Sequence, residues 1–360
     1  MITISLCMIV RDEDETIARC LDTVKDIVDE IIVVDTGSVD KTKDMVSRYT
    51  ACIYDFKWID DFAAARNYSF SKATKEYILW LDADDVFMEE DRNKLKYLKE
   101  HMDPSVDVVM MKYNLGVDNK ERPACTYYRE RLLKRDKNFK WHDPVHEYIE
   151  PTGNINTVDI SLTHKKLKQR SARNLGIFKK MIQDGKELSH RNCFYYGREL
   201  NVNGRYDEAM VYFEKFLSQD GGFFSNYMDA CIDFSKIYKM KGDRKNAVKT
   251  LLRCFEFGMP RAEICCELGI QYEEMQDYQW AISWYQIATK LDKPINTLGA
   301  VVHDFYDYIP YASIGICYFK LNNIKQAIKY NEKAAEFKPD STVVNNNRKY
   351  FDSLLSNREK

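Results

Sequence analysis

Residues 77–85 read YILWLDADD, Tyr77 through Asp85, and this stretch decides the fold. Ile78, Leu79, Trp80 and Leu81 make a short apolar run of the kind that fills a strand buried on both faces. The run ends in Asp82, Ala83, Asp84 and Asp85. Charge at the tip of a buried strand needs a cation or hydrogen-bond donors, because unpaired buried charge is costly. Asp82 and Asp84 offer hard oxygen ligands, and a Mg2+ or Mn2+ ion carried by a diphosphate needs only one or two such carboxylates. A solvated acidic turn capping the helix at Glu89, Glu90 and Asp91 is the competing reading, so the neighbouring stretches decide.

Upstream, Ile2–Val10 reads as a first strand and runs into Arg11, Asp12 and Glu13. Ala18, Leu21, Val24 and Ile27 recur at helical spacing. Glu30–Asp35 (EIIVVD) is a second buried strand ending in a carboxylate. The turn Thr36–Thr42 (TGSVDKT) then enters a helix that Ser38 or Asp40 suits as a cap. Ala51–Phe56 is a third strand, DFAAARN at 61–67 opens a helix, and Tyr77–Leu81 is the fourth strand. Strands alternating with helices predict a parallel α/β sheet, whose ligands gather at the carboxyl ends of the strands. Three of those ends carry polar groups: Arg11 to Glu13, Asp35 to Ser38, and Asp82 to Asp85. That convergence points to a nucleotide-type site. With no G-x-G-x-x-G and no G-x-x-x-x-G-K-[ST], phosphate charge would have to be met by a metal and by Arg or Lys.

At 360 residues the chain is long enough for two domains. Its formal net charge is −2 and no long basic stripe occurs, so nucleic acid is not the expected partner. Met1 leads directly into a strand-like run, and no apolar run approaches the roughly 18 residues of a membrane span, which predicts a cytoplasmic protein without a transmembrane segment. The ten cysteines form no C-x-x-C pair, and most sit in apolar periodic stretches, where a reduced, space-filling role is expected.

The strand-borne motifs DTGSVDKT, DFAAARN and LDADD together resemble the family 2 glycosyltransferases of GT-A fold. The opening CMIVRDED and the later FKWHDPVHEY narrow the likeness to bacterial peptide glycosyltransferases of the sublancin type, which glycosylate cysteine. Lipopolysaccharide-core glucosyltransferases share the V-H-E signature. The resemblance implies a GT-A nucleotide-diphospho-sugar transferase domain over 1–165, with a Rossmann-like mixed sheet. It further implies a UDP-sugar donor and Mn2+ or Mg2+ as cofactor. By that resemblance Asp35 contacts the nucleobase or ribose, Arg66 the uracil or diphosphate, Asp82 the ribose or metal, and Asp84 the metal. Arg11, Glu13, Ser38 and Ala83 complete the expected nucleotide-sugar contacts.

Glu147 is the candidate base, since an inverting transfer needs a carboxylate to take the acceptor proton. His146 is a candidate metal or diphosphate ligand. Adjacent residues on a regular strand face opposite sides, so both act only if the backbone turns there. The competing readings place Arg66 in a helix-surface pair with Asp60 or Asp61, and pack His142 and His146 against Trp141. Arg131 and Lys134 are offered as positive charge for the diphosphate or acceptor, against a solvated charge run.

Residues 166–190 read as a helical linker, with Ser171 starting a helix through Met181. From 191 to 360 the sequence repeats: NGRYDEA, KGDRKNA, MQDYQWA and LNNIKQA end at Ala209, Ala247, Ala281 and Ala327, at intervals of 38, 34 and 46 residues. About 34 is the length of a tetratricopeptide (TPR) unit. The last interval holds an insertion at 294–311. Stacked helix pairs make concave surfaces that hold peptides, with Trp280, Trp284 and Tyr285 partly lining the groove; homodimerisation is the other use of such an array. The expected activity is metal-dependent, inverting transfer from a UDP-sugar to a Cys, Ser or Thr side chain. A surface saccharide or lipid-linked acceptor is the alternative, and an inactive repeat scaffold the third reading.

Overall fold

The computed structural model describes residues 1–358 apart from Asn119, residues 167–171, Pro260 and Asn296. Two compact units emerge: Met1–Lys186 with Asn296–Ala300, and Glu187–Ile295 with Val301–Lys360.

The first unit runs β1 (Ile4–Val10), α1 (Ile17–Asp22), β2 (Glu30–Asp35), α2 (Thr42–Val46), β3 (Ile53–Asp55), α3 (Phe62–Phe70), β4 (Tyr77–Trp80), β5 (Asp85–Phe87), α4 (Glu89–His101), β6 (Val108–Val117), β7 (Pro123–Lys134), β8 (Trp141–His142), β9 (Tyr148–Ile149), β10 (Ile155–His164) and α5 (Arg173–Gln183). The sheet order is β3-β2-β1-β4-β7-β6-β10-β5. The first four strands of that order are mutually parallel, and β7 is antiparallel to both β4 and β6. The sheet is therefore mixed. Ile4, Leu6, Met8 and Leu79 pack on one face with α1 and α4, while Cys7, Ile32, Ile78 and Trp80 pack on the other with α3 and Trp141. Burial on both faces is why these strands read as continuous apolar runs. Val10 pairs with Asp35 and Cys7 with Trp80, so β1, β2 and β4 deliver their polar termini to one edge of the sheet.

The polar run Lys140–Ile149 reads as a single strand, but β8 and β9 form a separate two-stranded ribbon around bends at 143–146, where Asp143 (φ 66°) and His146 (φ 53°) take left-handed backbone and Pro144 withholds a donor. Residues 155–164 are β10, in which inward Val158, Ile160 and Leu162 alternate with Asp159, facing outward to Lys94 and Lys112, and Ser161. Ser171, the expected helix start, lies outside the described residues, and α5 begins at Arg173. Eight of the ten cysteines are buried, and none of those eight forms a disulfide.

The second unit is helical: α6 (His190–Val202), α7 (Tyr206–Leu217), α8 (Phe224–Met240), α9 (Arg244–Arg253), α10 (Ala262–Glu274), α11 (Tyr278–Ala288), α12 (Tyr308–Lys320), α13 (Ile324–Phe337) and α14 (Thr342–Arg358). Each repeat reuses one turn. Gly204, Gly242, Gln276 and Asn322 are all left-handed, and Asp243, Asp277 and Asn323 cap the helix that follows. Ala209, Ala247, Ala281 and Ala327 are fully buried between paired helices. Tyr285 belongs to this core rather than to a groove, whereas Trp280 is 57% exposed. No described helix is long and apolar enough to cross a membrane.

Gly269 shows how tightly the pairs pack: a Cβ there would stand 2.6 Å from the Tyr285 ring. Gly269→Ala should therefore cost the repeat unit about 1–3 kcal/mol in urea unfolding. Gly176→Ala on α5, where a Cβ meets nothing within 4 Å, should be neutral or stabilising by about 0.5–1 kcal/mol. Equal effects at the two sites would contradict the packing.

Candidate active site

A pocket of about 300 Å3 opens beyond the ends of β1 and β4, walled by the start of α3, the 145–147 bend and the start of α5. Arg11, Glu13, Arg66, Asp82, Ala83, Asp84, His146 and Glu147 all line it. The left-handed turn at His146 breaks strand alternation, which is how neighbours 146 and 147 reach one cavity. His146 stacks on Phe178 of α5, and His142 on Tyr148, so neither has Trp141 as its ring partner.

Arg66 joins the two sides of the pocket. Its Nη2 donates to Asp82 Oδ1 and its Nε to Glu147 Oε1, both at 2.7 Å. The guanidinium lies against a pair of edge-on indoles, 5.2 Å from Trp80 and 4.8 Å from Trp141. Asp61 instead caps α3 through the Ala64 N–H, and Asp60 pairs with Lys180, so the surface pairing of Arg66 does not form. Burial opposes the charge on Asp82, but Arg66 and Arg131 overcome it and hold the carboxyl at about 2.

Behind this tie lies a second cluster. Asp85, fully buried, accepts from Tyr113 Oη at 2.7 Å, Arg131 Nη1 at 3.1 Å and the Asp82 N–H at 3.1 Å. Arg131 is 1% exposed and lies 3.8 Å from the Trp80 ring, so it is a buried counter-ion and not a free phosphate ligand. Lys134 Nζ donates to the Pro104 carbonyl. His164, opposite Asp85 in the β10–β5 register, puts Nδ1 3.3 Å from Asp84 Oδ1 and 3.5 Å from Asp85 Oδ1. Burial pulls His164 down, yet the hydrogen bonds and charges of those two aspartates raise it to about 9. Ligand atoms of Asp84, Asp85 and His164 all lie within 4.8 Å of one another.

Asp35 and Ser38 stand at the end of β2, beside Thr36, which does line the pocket. Asp35 Oδ2 accepts from the Gly37 and Ser38 N–H groups at 3.0 Å each, while Oδ1 is buried without a hydrogen-bond partner. Ser38 Oγ accepts from Asp12 N–H and so binds the β1 and β2 termini together. Sequence reasoning missed Trp58, Phe62, Arg173, Asn174 and His164. Trp58 was visible in the F-K-W preceding DFAAARN. Arg173 and His164 belong to no motif and gain their places through the α5 and β10 packing.

Comparisons with known proteins bear on the domain that carries this sheet edge. Residues 5–153 match the family model described as Glycosyl transferase family 2, and residues 262–357 match that described as Prolyl 4-hydroxylase peptide-substrate-binding domain. The N-terminal unit is thus a family 2 glycosyltransferase domain, followed by a TPR-like helical unit. A TPR repeat-containing protein of Synechococcus elongatus is 29% identical over 88% of this chain and 74% of its own length. The SPbeta prophage-derived glycosyltransferase SunS of Bacillus subtilis is 29% identical over 59% of this chain, and the match spans about half (53%) of SunS. An uncharacterized glycosyltransferase of Rickettsia felis is 32% identical over 26% of this chain and 33% of its own.

Two stability predictions follow from the charges. Asp82 is held below the usual carboxylate range, so its stabilisation is complete above about pH 4 and lost as pH falls toward about 2. The stability gap between wild type and Arg66→Met should accordingly be largest above pH 4 and shrink toward pH 2 in chemical unfolding. Arg131→Met strands the buried Asp85 charge and should cost about 3–5 kcal/mol at neutral pH. A loss under 1 kcal/mol would contradict the pairing.

Proposed function

We propose that the chain transfers a sugar, with inversion, from a UDP-sugar to a Cys, Ser or Thr side chain of a peptide or protein. The observation that carries this reading is the Arg66 bridge, which sets Asp82 of the donor edge and Glu147 of the opposite wall in one pocket. Glu147 Oε1 is held by Arg66, leaving Oε2 to take the acceptor's proton. The deprotonated acceptor attacks the anomeric carbon, and the bond to the diphosphate oxygen breaks with its electron pair leaving on the diphosphate. Asp35, with a buried oxygen lacking a donor, suits a nucleobase N–H.

Asp84 is the proposed ligand of Mg2+ or Mn2+, with His146, on the same pocket, as the other candidate ligand; His164 lies within reach of Asp84 and would have to give up its proton to join them, while Asp85 stays on Arg131. A divalent ion there supplies charge neutralisation for the departing diphosphate. In this reading Arg66 serves as the tie between carboxylates, its Nε and Nη2 already engaged, rather than as a uracil or diphosphate ligand. The helical unit is proposed to hold the acceptor, supported by its likeness to a peptide-substrate-binding domain.

Glu147→Gln should bind UDP normally by calorimetry yet transfer sugar about 10²–10⁴ times more slowly. Asp84→Ala should lose metal-dependent UDP binding. Wild-type transfer rates in Glu147→Gln would overturn the base assignment, and metal-independent UDP binding would overturn the ion.

A further inference from the structure

Arg173 is the first residue of α5 and lies beyond residues 5–153, the segment matched by the glycosyltransferase family model. It nevertheless lines the same pocket as Asp82, Asp84 and Glu147. Three guanidinium groups reach that pocket, and they are placed differently. Arg66 is buried against two indoles and bonded to two carboxylates. Arg11, at the end of β1, has a side chain 44% exposed. Arg173 rests on the Phe62 ring, 4.5 Å from its centroid.

That shelf is itself fixed. Phe62 packs edge-on against Trp58 at 4.8 Å, and its N–H donates to the Pro144 carbonyl at 2.8 Å, tying it to the bend that carries Glu147. An arginine stacked on an anchored ring keeps its planar fork in one orientation, which lowers the ordering cost of meeting an anion.

Arg173 stands among charges of both signs. Burial and the like charge of Arg11 both work against ionised Arg173, while Glu147 and Glu13 act in its favour, and the balance lowers it from the usual arginine value. Arg11 and Arg173 thus bring two guanidinium groups to the cavity in which the proposed donor's diphosphate has to be held.

We infer that Arg173, oriented by Phe62 and facing Arg11, forms a diphosphate clamp that the family-matched segment alone does not contain. This rests on the nucleoside-diphosphate reading of the donor. In transfer, the clamp would receive the negative charge that grows on the leaving diphosphate as the anomeric bond breaks, and would hold it by paired N–H donors. Arg66 cannot substitute for it while engaged with its two carboxylates.

The test is calorimetry of the full chain with Mn2+ against UDP and UMP. Arg173→Met should weaken UDP about tenfold or more and UMP clearly less, because UMP lacks the second phosphate. Arg173→Lys should fall between, keeping charge without the fork. Phe62→Leu, which removes only the shelf, should give a smaller UDP-selective loss, and it decides the matter if Arg173→Met unfolds. Undiminished UDP binding in these variants, or equal losses for UDP and UMP, overturns the clamp alone. Failure of the wild type to bind UDP overturns the donor reading and the clamp together.

Discussion

The site depends on one guanidinium shared by two acids. Arg66 reaches Asp82 at the tip of β4 and Glu147 across the pocket with bonds of 2.7 Å, inside a frame of two tryptophans. A buried arginine without partners would be very costly, so its two carboxylates are obligatory. Those carboxylates come from elements far apart in sequence. Closing this triad therefore closes the sheet edge against the 145–147 bend, and the cavity between them is the consequence.

A second layer keeps the first in register. Trp80 ends β4 and donates its indole N–H to the Glu130 carbonyl. Arg66, Arg129 and Arg131 all lie within about 5 Å of its ring. Arg131 in turn neutralises Asp85, which accepts the Asp82 N–H and so fixes the turn that presents Asp82 and Asp84. The acidic tip is thus divided by physics: Asp85 points inward as a structural counter-ion, while Asp82 and Asp84 point into the pocket. Three successive carboxylates serve at least two purposes because only one is dry.

Much of this was legible in the chain. The apolar runs at 4–10, 30–35 and 77–80 announce buried strands because both faces are covered, and their polar termini announce the edge where ligands gather. The repeats were equally legible, since each reuses one left-handed turn, followed in three of the four by a side-chain-capped helix. What escaped had no local signal. His164 acquires its partners from the β10–β5 register, Arg173 from the packing of α5, and the bend at 143–146 from positive φ angles at Asp143 and His146, which no glycine announces. Arg131 looked like a surface charge because its neighbours are charged, yet the strand turns it inward onto Trp80. Residue identity was readable; partnership required the fold.

The central claim is that the β1–β4 edge and the 145–147 bend enclose one donor site. Anomalous scattering from crystals grown with Mn2+ and UDP tests it most directly. The account predicts a manganese peak bonded to the Asp84 carboxylate, with the diphosphate beside it in the pocket and Glu147 still on Arg66. A peak away from Asp84, or a nucleotide outside this pocket, would contradict it.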